Sequence, residues 1–458
     1  MVEETGANGP EGMGFQVLKS AVGSGGARLG KLCLPNRLPI QTPAYIAVTS
    51  RGTVPHLTAD NLVKYTSFES AYLALEDFIE KKVPPFLSTP SPDSPLRAFT
   101  AFPKDRITIL GPRRVPAVTT PVGNGSKHVA LFTSTGFRNV PATDYASYLA
   151  TLRPDIAIAL ADLPHTSATP PARKLTRMVD RTGDWLDTLL RNRSEEPRGG
   201  DVALFAPVLP IERPIQWQYL DRLSEGASSL SGLAVYDVGL VPDLAANYPA
   251  LDPLPRLALE APQSPQQLLR QISLGADLSL VPFVNDTSDA GVALSFSFPA
   301  PTSTTESASA PLPLGSDLWS PENKTSLEPL VPGCTCYACT SHHRAYLHHL
   351  LCANEMLSWT LLQLHNHHVM TRFFEGVRET LALGTEAFEE AAQAFRRAYE
   401  SEIPGGTGLR PRARGYHFKS EGGDKKVNEP AWSNFEGEAG GAKTEGAGAG
   451  ADPVEVKV

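Results

Sequence analysis

The chain has 458 residues, of which 41% are hydrophobic, and a formal net charge of −8. That length suits one large barrel or about two to three ordinary domains, and the acidic balance excludes a globally basic nucleic-acid binder. Residues 1–12 are acidic and Gly-rich and lack the apolar core of a signal peptide, and no run of about 18 apolar residues marks a membrane span.

A flexible N-terminus is expected over 1–14, with ordered sequence from Phe15. Short apolar runs then recur at 15–20, 43–49, 128–134, 155–161, 201–208, 232–238, 256–261 and 278–284. Each is bounded by Gly, Pro or Asp, and several lack polar alternation, which predicts strands buried on both faces as in parallel sheets. Helical patterns alternate with them. One is predicted over 58–82. A second covers 175–193, with Met178, Trp185, Leu186, Leu189 and Leu190 on one stripe. A third covers 264–275, where Ser264 and Gln267 form a capping box, Pro265 opens the first turn and Gly275 ends the helix. Alternating strands and helices leave two fold classes open, an α/β barrel and a doubly wound sheet.

Two Pro/Ser/Thr-rich stretches, 83–99 and 299–325, read as flexible inserts, and the Gly/Glu/Lys-rich tail 403–458 reads as mostly disordered. The region 340–401 is predicted to be continuously helical up to a break at Gly384, Thr385 and Glu386. Tyr346, Leu347, Leu350, Leu351, Leu357, Leu361 and Leu364 form its apolar stripe.

Just before that helix stand Cys334, Cys336 and Cys339 in a C-x-C-x2-C run, with His365 farther on. Thiolates and an imidazole so arranged can close a tetrahedron around Zn2+. Spacing alone does not single out His365, because His342, His343, His348, His349, His367 and His368 lie in the same stretch. Three Cys and one His form a closed set, which predicts a structural rather than a catalytic ion. Cys33 and Cys352 read as ordinary buried thiols.

The segment 334–381 closely resembles the zinc region of tRNA-guanine transglycosylases, in which C-x-C-x2-C precedes an R-A-Y-L-H-H helix and then an H-N pair. Here these are Arg344 to His349, and His365 with Asn366. Residues 27–62, 131–137 and 268–284 resemble other family segments more loosely. The resemblance implies a TIM (β/α)8 barrel over 15–402 with an inserted zinc-binding subdomain at about 331–370, and it selects His365 as the fourth ligand. One structural zinc per subunit follows.

The family exchanges a tRNA guanine through a covalent ribosyl intermediate, with an Asp as nucleophile and a second acid. The resemblance puts Leu280 at the nucleophile's position and Thr133 at that of the second acid. Leucine cannot form a glycosyl ester, and threonine is a poor general base. No catalytic residue is therefore assigned. Asp277 matches a non-nucleophilic family position, Asp286 and Asp289 read as a solvated loop, and Asp162 and Asp237 read as helix caps or the lining of a vestigial pocket. The resemblance implies a non-catalytic chain that forms a heterodimer with a catalytic queuine-inserting subunit and meets tRNA through that complex. Queuine would replace guanine at the wobble position of tRNAs with GUN anticodons. Five cysteines, three of them clustered, do not resemble a disulfide framework and predict a reducing, cytoplasmic setting, and the resemblance adds a peripheral place at the mitochondrial outer membrane as the variant. The alternatives are an active transglycosylase with relocated acids and an independent zinc-stabilised RNA-binding or scaffold protein. For RNA, the basic cluster Arg410, Arg412, Arg414 and Lys419, interleaved with Tyr416 and Phe418, is the first candidate, and Arg113 with Arg114 the second.

Overall fold

The computed structural model describes residues 13–20, 25–81, 83–89, 91, 93–118, 123–133, 135–164, 170–195, 202–301 and 310–411. Eight parallel strands close a barrel: Ala44–Val48, Ser70–Ala74, Ile107–Gly111, Ile156–Ile158, Ala203–Val208, Gly232–Val235, Arg256–Ala258 and Leu278–Leu280. The eighth strand pairs in parallel with the first, Leu278 opposite Ala44 and Leu280 opposite Ile46. These strands are buried throughout. Their mostly apolar, fully buried runs supply one residue set to the interior and another to the surrounding helices. The interior set includes Ile46, Ile109, Ile158, Phe205 and Leu257. Of the two open fold classes, the barrel is the one formed.

Two of the predicted elements differ here, and a third element is one that the sequence pattern does not mark. The helix expected over 58–82 stops at Tyr65, where Thr66 turns to extended backbone, and Ser70–Ala74 becomes the second barrel strand. Pairing on both edges overrides the local helix propensity of the alanines and leucines there. Ile107–Gly111, the third barrel strand, was not predicted at all; it is five residues long and carries no alternation. The run 128–134 does form a strand, His128–Thr133, but it pairs antiparallel with Gly136–Pro141 in a hairpin outside the barrel.

The expected inserts also hold structure. Within 83–99, Pro85–Ser88 forms a 3-10 turn and Pro95 starts a helix to Thr100, with Phe86 and Leu96 buried. The Ser94 hydroxyl caps that helix by accepting the Arg97 N–H at 3.2 Å. Within 299–325, residues 302–309 lie outside the described residues, while Gly315–Asp317 is a strand and Pro321–Thr325 a 3-10 turn. Residues 1–12 and 412–458 also lie outside the described residues.

The helix Ala172–Glu195 buries Met178, Trp185, Leu186 and Leu189 as its stripe requires. Pro265–Ser273 forms where expected, but Ser264 makes no side-chain cap; instead the Gln267 side chain accepts the Gln263 N–H at 2.7 Å. A three-stranded antiparallel sheet, Gly14–Ser20, Arg28–Cys33 and Ile40–Thr42, precedes the barrel. Its Leu32 and Ile40 join the barrel-interior cluster.

The region 340–401 is four helices rather than one run: Tyr337–Ser341, Arg344–Cys352, Met356–Leu383 and Thr385–Ala398. Asn354, at φ 54°, turns the chain between the second and third. An Asn tolerates that left-handed conformation, so an apolar stripe that reads continuously is broken locally.

Candidate metal centre and barrel mouth

The cysteine knuckle follows Gly333, whose φ of 75° turns the chain before Cys334. Cys336 then occupies the N-cap of Tyr337–Ser341, its sulfur accepting the Cys339 N–H at 3.4 Å. This cap brings the second and third thiols to one point. His365 comes from the long helix Met356–Leu383 and is fully buried. The break at Asn354 lets that helix fold back over the knuckle, with His365 in its first half.

His365 Nδ1 stands 3.8 Å from Cys334 Sγ, 3.4 Å from Cys336 Sγ and 3.4 Å from Cys339 Sγ. All four ligand atoms lie within 4.8 Å of one another. Tetrahedral Zn–S and Zn–N bonds of ~2.3 and ~2.05 Å would put a sulfur about 3.5 Å from the nitrogen. The observed spacings fit that figure, so these residues can hold a metal ion of the zinc type. The other imidazole nitrogen, Nε2, donates to the Leu294 carbonyl at 2.8 Å, which fixes the tautomer and turns the Nδ1 lone pair toward the sulfurs. Asn366, the next residue, accepts the Leu294 N–H at 2.8 Å and donates to the Val292 carbonyl at 3.0 Å and to Ser288 at 2.9 Å. The His–Asn pair therefore both aims the ligand and ties the helix to the strand Val292–Leu294. The sequence marked Asn366 as part of a motif but gave no sign of this second task.

Electrostatics favour a dication. Hydrogen bonds from Cys336 and Cys339 hold the Cys334 thiol far below its ordinary range, and the same pairing drives Cys336 far above it. For His365, burial disfavours the cation, but its contacts with Cys334 and Cys339 outweigh burial and raise its pKa to about 9. A bound dication would resolve this competition by taking every sulfur as a thiolate and releasing protons. Of the other histidines, His348 bonds the Leu318 carbonyl at 2.9 Å, His343 caps Arg344–Cys352, and His367 is buried against Tyr45.

Leu280 ends the eighth barrel strand and lies in the interior cluster with Ile46, Val48 and Tyr72, fully buried. Thr133, near the turn of the hairpin, is buried and donates to the Gly136 carbonyl at 2.8 Å. The acids that the sequence singles out are already engaged. Asp277 precedes the eighth strand, at the opposite end of the barrel, and takes two hydrogen bonds from Arg28, at 2.9 and 2.6 Å. Asp162 binds Asn124 at 2.8 Å and Arg181 at 3.1 Å, and Asp237 caps the turn Val238–Leu240 through the Gly239 N–H. Asp286 and Asp289 lie in a helix, Phe283–Asp289, not a solvated loop, and Asp289 binds His56 at 2.6 Å. The sequence reading missed Glu76 and Asp77, which follow the second barrel strand and are buried at the mouth beside Arg113 and Arg114. Glu76 pairs with Arg114 at 2.8 Å. Arg113 is buried and bonds Asn124, so neither arginine forms the exposed basic patch expected of it. In the other basic cluster only Arg410 is described, and it is exposed; Arg412, Arg414, Tyr416, Phe418 and Lys419 lie outside the described residues. Cys33 and Cys352 are exposed, not buried.

Residues 23–401 match the family model described as queuine tRNA-ribosyltransferase. A Schizosaccharomyces pombe protein named queuine tRNA-ribosyltransferase accessory subunit 2 is 32% identical over 416 residues, covering 89% of each chain. Proteins of the same name from Drosophila pseudoobscura pseudoobscura and Gallus gallus are 29% and 26% identical, over 78% of this chain and 86% and 92% of theirs.

Proposed function

The chain belongs to the queuine tRNA-ribosyltransferase family, and on that premise we propose that it is the non-catalytic, accessory partner of a catalytic subunit of the same family. In this reading the pair exchanges guanine for queuine at the wobble position of tRNAs with GUN anticodons. The observation that carries it is the chemistry at Leu280. A ribosyl intermediate needs a carboxylate oxygen there, and this position presents a buried alkyl group packed among other alkyl groups. Thr133 offers only a hydroxyl that is already donating to a carbonyl. Of the other mouth acids, Asp162 and Glu76 are held in ion pairs with Arg181 and Arg114, and Asp77 accepts the Arg51 N–H.

Cys334, Cys336, Cys339 and His365 would hold one zinc ion, whose part is to clamp the knuckle to the long helix. The partner surface is best placed beside that clamp. Tyr65 stacks on Tyr337 with ring centroids 4.3 Å apart, and His342 stacks on Tyr346 at 5.2 Å. Met356, at 66% exposure, and Leu357 add exposed apolar area nearby in the chain. Aromatic and exposed aliphatic side chains of this kind suit a subunit contact.

A labelled-guanine exchange assay tests the proposal. The purified chain should be inert on tRNA, and exchange should appear when the catalytic subunit is added. Robust exchange by the isolated chain, or equal exchange by the catalytic subunit with and without it, would sink the assignment.

A further inference from the structure

Three of the five cysteines belong to the metal cluster, which leaves Cys33 and Cys352 as exposed thiols. They differ in one respect. Cys352 ends the helix Arg344–Cys352, and His348 lies one turn earlier on the same face, its Nε2 3.6 Å from the Cys352 sulfur. The imidazole is not free to choose its tautomer. Nδ1 donates to the Leu318 carbonyl at 2.9 Å. That carbonyl is itself fixed: Leu318 is fully buried in the core of the metal-bearing subdomain, and its N–H binds the Gly291 carbonyl at 3.0 Å. Nε2 therefore faces the thiol with its lone pair. A nucleophile, a base within reach and a third group orienting the base are the parts of an activated thiol. Cys33, at the end of Arg28–Cys33, has no such base among the described residues.

We propose that Cys352 and His348 form a nucleophilic thiol–imidazole pair, a site of covalent modification by low-molecular-weight disulfides. The Cys352 sulfur attacks one sulfur of the disulfide. A new S–S bond forms as the old one breaks, and the thiol proton passes to His348 Nε2 and then to the departing sulfur. The resulting adduct sits at the turn that leads to the exposed Met356.

The test is site-resolved mass spectrometry of the full-length, zinc-loaded protein during exposure to limiting glutathione disulfide. Modification of Cys352 should run at least ~10-fold faster than that of Cys33, and His348→Gln should bring the two to within about twofold. Zinc content and the thermal midpoint report whether the variant is folded. If it is not, the wild type in denaturant serves instead, where the preference should vanish with the folded geometry. Equal rates at the two cysteines in the folded protein would overturn the proposal. So would a preference that persists in folded His348→Gln or in denaturant.

Discussion

At the rim of the barrel, Asp77 accepts the Arg51 N–H at 2.8 Å while only 7% exposed. Burial first, and then the neighbouring Glu76, push its pKa up to about 7. An unfolded aspartate loses its proton near pH ~4. Between about pH 4 and 7 the folded chain therefore holds a proton that the unfolded chain has released. The Asp77 contribution to stability falls as pH rises through that window and is level above it. Asp77→Asn removes the effect. Its unfolding free energy relative to wild type, measured by urea titration, should grow in the variant's favour from about pH 4 to 7 and then stay flat. A difference independent of pH would show that Asp77 is charged in the fold. Leu280 is the opposite case at this scale. A leucine cannot ionise in any environment, so its chemistry was legible from its identity alone, whereas the state of Asp77 depends on what surrounds it.

Among the elements, the knuckle and the long helix depend on each other. Tyr337–Ser341 is five residues long, too short to be stable alone, and its N-cap Cys336 is one of the four residues that could hold a metal ion. Cys336→Ala removes both the cap and a thiolate. We expect bound zinc to fall from about one per chain to near zero, with solubility lowered and limited proteolysis opened within 331–370. Retention of a full zinc complement would contradict the ligand set. The ligand spacing was readable because short C-x-C-x2-C runs put thiols close together whatever the fold. Element boundaries were not. Ser70–Ala74 carries leucine and alanine, whose local propensity suits a helix, and its strand state comes from neighbours on both edges that lie far away in sequence. The break at Asn354 was hidden for a related reason, since the apolar stripe continues on both sides of it.

For the whole molecule, closure of the barrel draws on a buried charge network at the end opposite the mouth. Arg28, from the preceding sheet, donates to Asp277 and to the carbonyls of Leu254 and Asp252. Asp277 also accepts the Arg256 N–H at 2.7 Å. One carboxylate thus joins the N-terminal sheet to the starts of the seventh and eighth strands. Despite burial, the pairing with Asp277 keeps the Arg28 guanidinium charged, its pKa raised. Arg28→Ala leaves Asp277 buried and unpaired, and should cost ~3–5 kcal/mol in a denaturant titration. A loss under about 1 kcal/mol would mean that water or Arg256 takes over the charge. By itself, the sequence determined that three cysteines stand close enough together to hold a metal ion, that strands and helices alternate, and that position 280 carries no acid. These follow from side-chain chemistry and short-range spacing, which survive any folding of the chain. Only the tertiary structure decided that the sheet closes, that the hairpin at His128–Pro141 stands outside it, and that Glu76, Asp77, Arg113 and Arg114 meet at its mouth. Those outcomes rest on contacts between residues distant in the chain, and local patterns carry no record of them.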